Sequence, residues 1–194
     1  MYKIISTIVF LLISVAINYF LLFKKNKKLF KIACICIVAV NIAFYLMDYF
    51  LFKNEWVDYI AFNILLSFLA SITFEDIDTR MIDTRVIIGY FILFVAYRCS
   101  FMNLDIIIEG LLGFGLSLAI MLVAYFAKKN SLGIGDVEAI AACGMIVGFP
   151  NIFHFLFKTF LFVFIYGLFL IITKKKDATK EIPLAPFLLL ATIY

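Results

Sequence analysis

Long apolar runs separated by short charged segments are the feature that most restricts the fold of this chain. The run at 4–23 has about twenty nearly uncharged residues, enough for an α-helix to cross the hydrocarbon core of a bilayer. Backbone groups in lipid must form their hydrogen bonds internally, which favours helices. The sequence therefore predicts an all-α, polytopic integral membrane helix bundle with about seven full spans. The predicted spans are 4–23, 29–52, 57–74, 86–97, 104–127, 136–149 and 152–173.

The composition agrees with a membrane domain. The chain is 66% hydrophobic and 15% charged, whereas soluble domains are about 45–50% apolar and about 25% charged. We therefore expect a single transmembrane domain over residues 1–194 and no soluble domain. The final apolar piece, 182–194, corresponds to roughly 20 Å of helix, so we expect a short C-terminal helix that does not cross the membrane alone.

The distribution of basic residues predicts the orientation. The alternate loops 24–31, 75–85, 127–135 and 174–180 together hold 13 of the 17 lysines and arginines. Loops rich in Lys and Arg stay on the cytoplasmic side of a membrane. These loops are therefore predicted to be cytoplasmic, and the N-terminus is predicted to lie outside.

Two acidic positions on the predicted cytoplasmic side are candidates for chemistry. Asp76 lies in a hydrophilic segment, and Asp136 follows Gly133 and Gly135 at the start of an apolar run. Two carboxyl groups that lie close together do not both ionise readily, so one can stay protonated. Such a pair can activate a water molecule for attack on a peptide carbonyl and donate a proton to it. This chemistry needs no metal and no cofactor, and we predict none.

Three separated motifs resemble those of the type IV prepilin peptidase family of membrane aspartyl proteases. The Gly-x-Gly-Asp motif of that family stands here at 133–136. Its first motif, an aspartate followed six residues later by Ile or Leu, stands here as Asp76 and Ile82. Its C-terminal signature, Pro-x-x-Pro-Phe, contains Pro183 and Pro186 of this chain.

The resemblance implies an aspartic endopeptidase that cleaves the short basic leader of type IV prepilins or pilin-like precursors. The cut is expected at the cytoplasmic face of the plasma membrane, beside the hydrophobic N-terminal helix of the substrate. No segment resembles the N-terminal domain with two Cys-x-x-Cys pairs found in long family members, so N-methylation is not assigned. The implied catalytic residues are Asp76 and Asp136, and the implied active-site loop residues are Gly133, Gly135, Pro183 and Pro186.

Several positions depart from the family pattern or compete for a role. Asp83 and Thr84 replace the usual proline and amide of the first motif, and Glu138 replaces a lysine that often follows the second aspartate. Asp78 is the strongest rival to Asp76 as the first catalytic group. Asp76 could also be an ordinary cap of the fourth span, and the aspartate of the second motif could be a helix N-cap.

Other functions are compatible with paired carboxylates in a membrane protein. A small ion- or proton-coupled transporter is the main alternative, although such sites usually lie near the membrane midplane. Presenilin-like proteases also use Gly-x-Gly-Asp, but their other motifs do not match this sequence. A catalytically inactive scaffold is a further alternative. The only histidine, His154, lies in a span on the opposite side and is expected to be a packing or interfacial residue.

Overall fold

The computed structural model describes residues 2–22, 27–47, 56–127, 132–173 and 182–192. In this part of the chain every regular element is an α-helix, so the predicted all-α class is confirmed there. The helices are α1 (Tyr2–Leu22), α2 (Lys27–Met47), α3 (Trp56–Thr79), α4 (Thr84–Cys99), α5 (Leu104–Ala127), α6 (Ile134–Val147), α7 (Asn151–Ile172) and α8 (Ala185–Ala191).

Three segments of the described helices are long and apolar enough to cross a membrane. They are Tyr59–Ile77, Leu104–Ala127 and Asn151–Ile172. Shorter apolar stretches lie within α1 and α2, at Thr7–Tyr19 and Cys34–Leu46. These segments support the membrane class of the prediction, and the total of about seven spans stays a prediction.

Most of the basic segments that predict the orientation lie outside the described residues. This is the case for 23–26, 128–131 and 174–181. The cytoplasmic placement of these segments, and with it an N-terminus on the outer side, therefore stays a prediction from the charge distribution.

Helices α1 and α2 pack along α3 in opposite directions. The hydroxyl of Tyr59, near the start of α3, lies 2.6 Å from the hydroxyl of Thr7, near the start of α1. The ring of Tyr59 also stacks on Phe44, near the end of α2, with ring centroids 5.5 Å apart. Helix α1 therefore runs in the same direction as α3, whereas α2 runs against it.

The main apolar core lies between α3, α4 and α6, and α7 and α8 add buried side chains to it. Phe68 of α3 and Phe94 of α4 are fully buried there. Their rings meet edge to face at 89°, with centroids 5.4 Å apart. Such aromatic pairs stabilise a core beyond the area that they bury.

Helices α5 and α6 approach closely because their contact is formed by small residues. A Cβ atom added at Gly113 would collide with the carbonyl of Gly144, and one added at Gly144 would collide with the Ser117 hydroxyl. Small residues at a helix crossing let the backbones come together, which is a common way of packing helices in membranes. Gly115, which lies two residues from Gly113, has open space around it.

Arg98 caps the C-terminal end of α6. Its side chain is only 10% exposed. Its Nε donates to the Met145 carbonyl at 3.1 Å, and its Nη2 donates to the Ile146 carbonyl at 2.8 Å. Its Nη1 donates to the Ile106 carbonyl at 3.1 Å. A cation at this position satisfies terminal carbonyls and complements the negative end of the helix dipole.

Candidate active site

Asp76 lies in the last full turn of α3 and is 5% exposed. The sequence predicted that this span ends at 74, but the helix continues to Thr79. It ends where Arg80 adopts a left-handed conformation with φ of 54°, a geometry that commonly terminates helices. The N–H of Arg80 still bonds to the Asp76 carbonyl at 3.0 Å. The helix therefore holds the carboxylate at the end of a packed segment rather than in a loop.

The Asp76 carboxylate contacts the C-terminal motif directly. Its Oδ2 accepts a hydrogen bond from the backbone N–H of Ala185 at 2.9 Å. Ala185 lies between Pro183 and Pro186 and is itself fully buried. A hydrogen bond from a backbone N–H to an ionised carboxylate is stronger than one between neutral groups. The C-terminal motif thus contributes a donor to the first candidate catalytic residue.

Asp136 lies in the first turn of α6, and its side chain is half-buried. Gly133 is the N-cap residue, and the Asp136 carboxylate accepts the N–H of Gly133 at 3.2 Å. An acidic side chain in this position is the returning half of a capping box and lies at the positive end of the helix dipole. The alternative that Asp136 is the N-cap is therefore wrong, although its carboxylate does help to cap the helix.

The first and second motifs meet at Ile82 and Gly135. A Cβ atom added at Gly135 would lie 3.2 Å from the Ile82 Cβ atom and 3.4 Å from the Ile82 carbonyl oxygen. Gly135 immediately precedes Asp136, and Ile82 lies in the connection that follows Asp76. The absence of a side chain at Gly135 therefore lets the end of α3 and the start of α6 come together.

The connection between α3 and α4 is held by acidic residues that play no part in the predicted chemistry. The Glu75 side chain is 1% exposed, and its Oε2 accepts the backbone N–H of Asp83 at 3.0 Å. Asp83 is the N-cap of α4, with its Oδ1 accepting the N–H of Arg85 at 3.0 Å. The fourth helix is therefore capped by Asp83, and the alternative that Asp76 caps it is wrong.

Sequence reasoning missed the positions of Glu75 and Ala185 in this arrangement. Glu75 lies in the acidic segment 75–85, and its hydrogen bond to the N–H of Asp83 spans the end of α3, which no local pattern indicates. The N–H of Ala185 could not be found from side-chain patterns. The side chain of Asp78, the rival to Asp76, lies outside the described part of the structure.

Glu138 is the remaining acidic residue near the second motif. It is partly buried, and its Oε2 atom has no hydrogen-bond partner among the described residues. In the described part of the chain, no three His, Cys, Asp or Glu side chains are grouped so that they could hold a metal ion.

Comparison with known proteins identifies the family of this chain. A sequence model of the type IV leader peptidase family matches residues 63–168, which include both candidate aspartates. The chain belongs to this family. Its membership supports a protease rather than the carboxylate-based transporter considered above, and with the apolar helices it indicates a membrane protein. Searches of curated proteins and of solved structures gave no match.

Proposed function

We propose that this chain is a membrane aspartic endopeptidase that removes the leader of type IV prepilins or pilin-like precursors. Asp76 and Asp136 are the proposed catalytic pair. The observation that best supports this pair is the contact of Ile82 with Gly135, because it joins the segments that carry the two carboxyl groups. In the proposed reaction one carboxylate takes a proton from water while the other carboxyl group protonates the peptide carbonyl.

The proposed site lies at one end of the helix bundle. Asp76 is near the end of α3, Asp136 is near the start of α6, and Ala185 begins α8. With the orientation inferred from basic residues, this end faces the cytoplasm of the cell. A prepilin would reach it with a hydrophobic helix in the membrane and its basic leader in the cytoplasm. In this arrangement the scissile bond lies beside the carboxyl pair.

Pro183 and Pro186 have a supporting role in this proposal. They flank Ala185, whose N–H donates to Asp76. Proline fixes φ and has no N–H of its own, so it restricts the conformations of this short turn. Irregular backbone at membrane depth is tolerated where it is buried in protein or borders water. The turn is therefore proposed to hold the Asp76 carboxylate in one orientation.

Co-expression with a candidate prepilin, followed by mass spectrometry of the N-terminus of the substrate, tests the proposal. Asp76→Asn and Asp136→Asn are each expected to abolish cleavage, because both carboxyl groups take part in the proton transfers. Asp105→Asn is the matched control, since Asp105 is an exposed acidic residue in the first turn of α5. Asp78→Ala is expected to keep substantial activity. Full cleavage by either of the first two variants would refute the assignment.

A further inference from the structure

Helix α3 carries a row of buried polar residues along most of its length. Tyr59, Asn63, Ser67, Ser71 and Glu75 follow one another at four-residue intervals, and none is more than 1% exposed. Residues four apart form a ridge on a helix surface, and this one extends over about 24 Å of helix. We call these residues the polar ridge. It runs from the end of α3 remote from the candidate site to the residue before Asp76.

Polar side chains of the neighbouring helices contact the middle of the polar ridge. Asn18 of α1 donates to the Ser71 hydroxyl at 3.0 Å and to the Tyr90 hydroxyl of α4 at 3.3 Å. Asn41 of α2 donates to the Ser67 hydroxyl at 3.0 Å. The Ser71 hydroxyl donates to the Ser67 carbonyl at 2.7 Å. These hydrogen bonds connect α1, α2, α3 and α4 inside the bundle.

Three buried amide oxygens along this network have no hydrogen-bond donor. The Oδ1 atoms of Asn18, Asn41 and Asn63 lack a partner among the described residues, and these side chains are at most 1% exposed. If the asparagines served only to hold helices together, both ends of each amide would be expected to find partners. Here the NH₂ group of each asparagine donates a hydrogen bond, whereas its oxygen accepts none from the described residues. Buried polar groups without a protein partner are commonly satisfied by internal water.

We propose that the polar ridge and its asparagines bind a row of internal water molecules that extends towards Glu75. Water supplies the donors that the three amide oxygens lack, and each molecule can bridge neighbouring acceptors. A cluster of polar atoms shared by four helices provides the two to four partners that a buried water needs. Ser71 and Glu75 are one helical turn apart, a separation that a single water molecule can bridge.

Together with the proposed peptidase function, this row has a consequence for catalysis. Cleavage of one peptide bond consumes one water: its oxygen bonds to the carbonyl carbon, the C–N bond breaks, and a proton moves to the amine nitrogen. A substrate helix docked over the carboxyl pair would hinder entry of water from the cytoplasm. The polar ridge ends at the residue before Asp76, so its waters can replace the one that is consumed. Asn18 and Asn41 then act as positioning residues.

Hydroxyl-radical labelling generated by X-rays tests the waters without any substrate, because the radicals form from water and attack the nearest side chains. Tyr90 and Phe94 make a matched pair, since both are fully buried aromatic residues of α4 and lie one turn apart. After each rate is divided by the intrinsic reactivity of its ring towards hydroxyl radicals, Tyr90 is expected to be oxidised several-fold faster than Phe94, and Asn18→Leu is expected to remove the difference. Equal labelling of the two rings in the unmodified protein would overturn the proposal, and so would faster labelling of Tyr90 that persists in Asn18→Leu.

Kinetics test the catalytic consequence separately. Asn18→Leu combined with Asn41→Leu is expected to lower kcat for a membrane-embedded prepilin several-fold while KM stays unchanged, because water supply rather than binding is altered. Asn151→Leu is the control, as Asn151 is exposed at the start of α7. An unchanged kcat in the double variant would overturn the proposal that waters of the polar ridge replace the water consumed at the site. If the chain did not cleave prepilins, the labelling result would still test the internal waters. Failure of the peptidase proposal can therefore be distinguished from failure of the water proposal.

Discussion

Substitution of Gly135 tests whether close contact between the two motif segments holds the candidate site together. A Cβ atom at this position would lie 3.2 Å from the Ile82 Cβ atom and 3.7 Å from its backbone nitrogen. Carbon atoms in favourable contact are about 3.5–4.0 Å apart. In Gly135→Ala the connection that carries Ile82 must therefore move by a few tenths of an ångström away from the start of α6.

The expected size of this effect follows from overpacking and helix propensity. Extra methyl groups in a well-packed region typically cost about 1–3 kcal/mol. The gain in helix propensity from glycine to alanine offsets up to about 1 kcal/mol of this. With the full offset the net cost is at most about 2 kcal/mol, and if it acted entirely on the catalytic arrangement it would lower kcat/KM by up to about 30-fold. Gly135→Val adds a branched side chain and is expected to lower activity further.

Gly115 provides the matched control for this series. A Cβ atom there has no neighbouring atom within 4 Å, so Gly115→Ala and Gly115→Val are expected to keep normal cleavage. The assay is cleavage of a prepilin in membranes, with thermal unfolding of the purified proteins measured in parallel. Equal activity and equal stability across both series would show that the Ile82 contact does not maintain the site. If Gly135→Val lost activity and Gly135→Ala did not, the contact with Ile82 would have room for one methyl group.

Substitutions at three further positions test the supports around the site by thermal unfolding. Glu75→Ala removes the acceptor of the Asp83 N–H and is expected to destabilise the protein by about 1–3 kcal/mol, whereas Glu75→Gln keeps an acceptor and should recover most of this. Arg98→Leu leaves carbonyls at the end of α6 without donors and is expected to cost about 3 kcal/mol or more; Arg98→Lys should recover only part, because an ammonium lacks the planar fork. Gly113→Ala is expected to separate α5 from α6, since its Cβ atom collides with Gly144, and a normal melting temperature would contradict that packing.

The sequence predicted the helices well because long apolar runs leave the backbone few alternatives to a helix. The predicted run 104–127 and the observed helix α5 have the same limits. The largest difference is at the end of α3, where acidic residues were interpreted as a loop. They continue the helix instead, because Glu75 and Asp76 find backbone N–H partners in other segments. The Ala185 partner of Asp76 is distant in sequence, and local patterns do not reveal it.

The catalytic candidates could be predicted from continuous motifs, whereas the polar ridge and the cap formed by Arg98 could not. Motif spacing identified Asp76 and Asp136 as candidates, since each motif is continuous along the chain. The polar ridge was missed because its members are mostly uncharged and lie four residues apart in an apolar run. The sequence analysis did not single out Arg98, because its role as a cap depends on α6, which begins well after it in sequence.

The departures from the family pattern after Ile82 are consistent with one another in this structure. Proline, which the resemblance leads one to expect at position 83, has no N–H group. Here Asp83 supplies the N–H that Glu75 accepts, and its side chain caps α4 by accepting the N–H of Arg85. With Asp83 in place of proline, the connection loses a rigid ring and gains one hydrogen bond to α3, through Glu75, and one to α4, through Arg85. Because Ile82 is held from the next residue, its contact with Gly135 does not require proline.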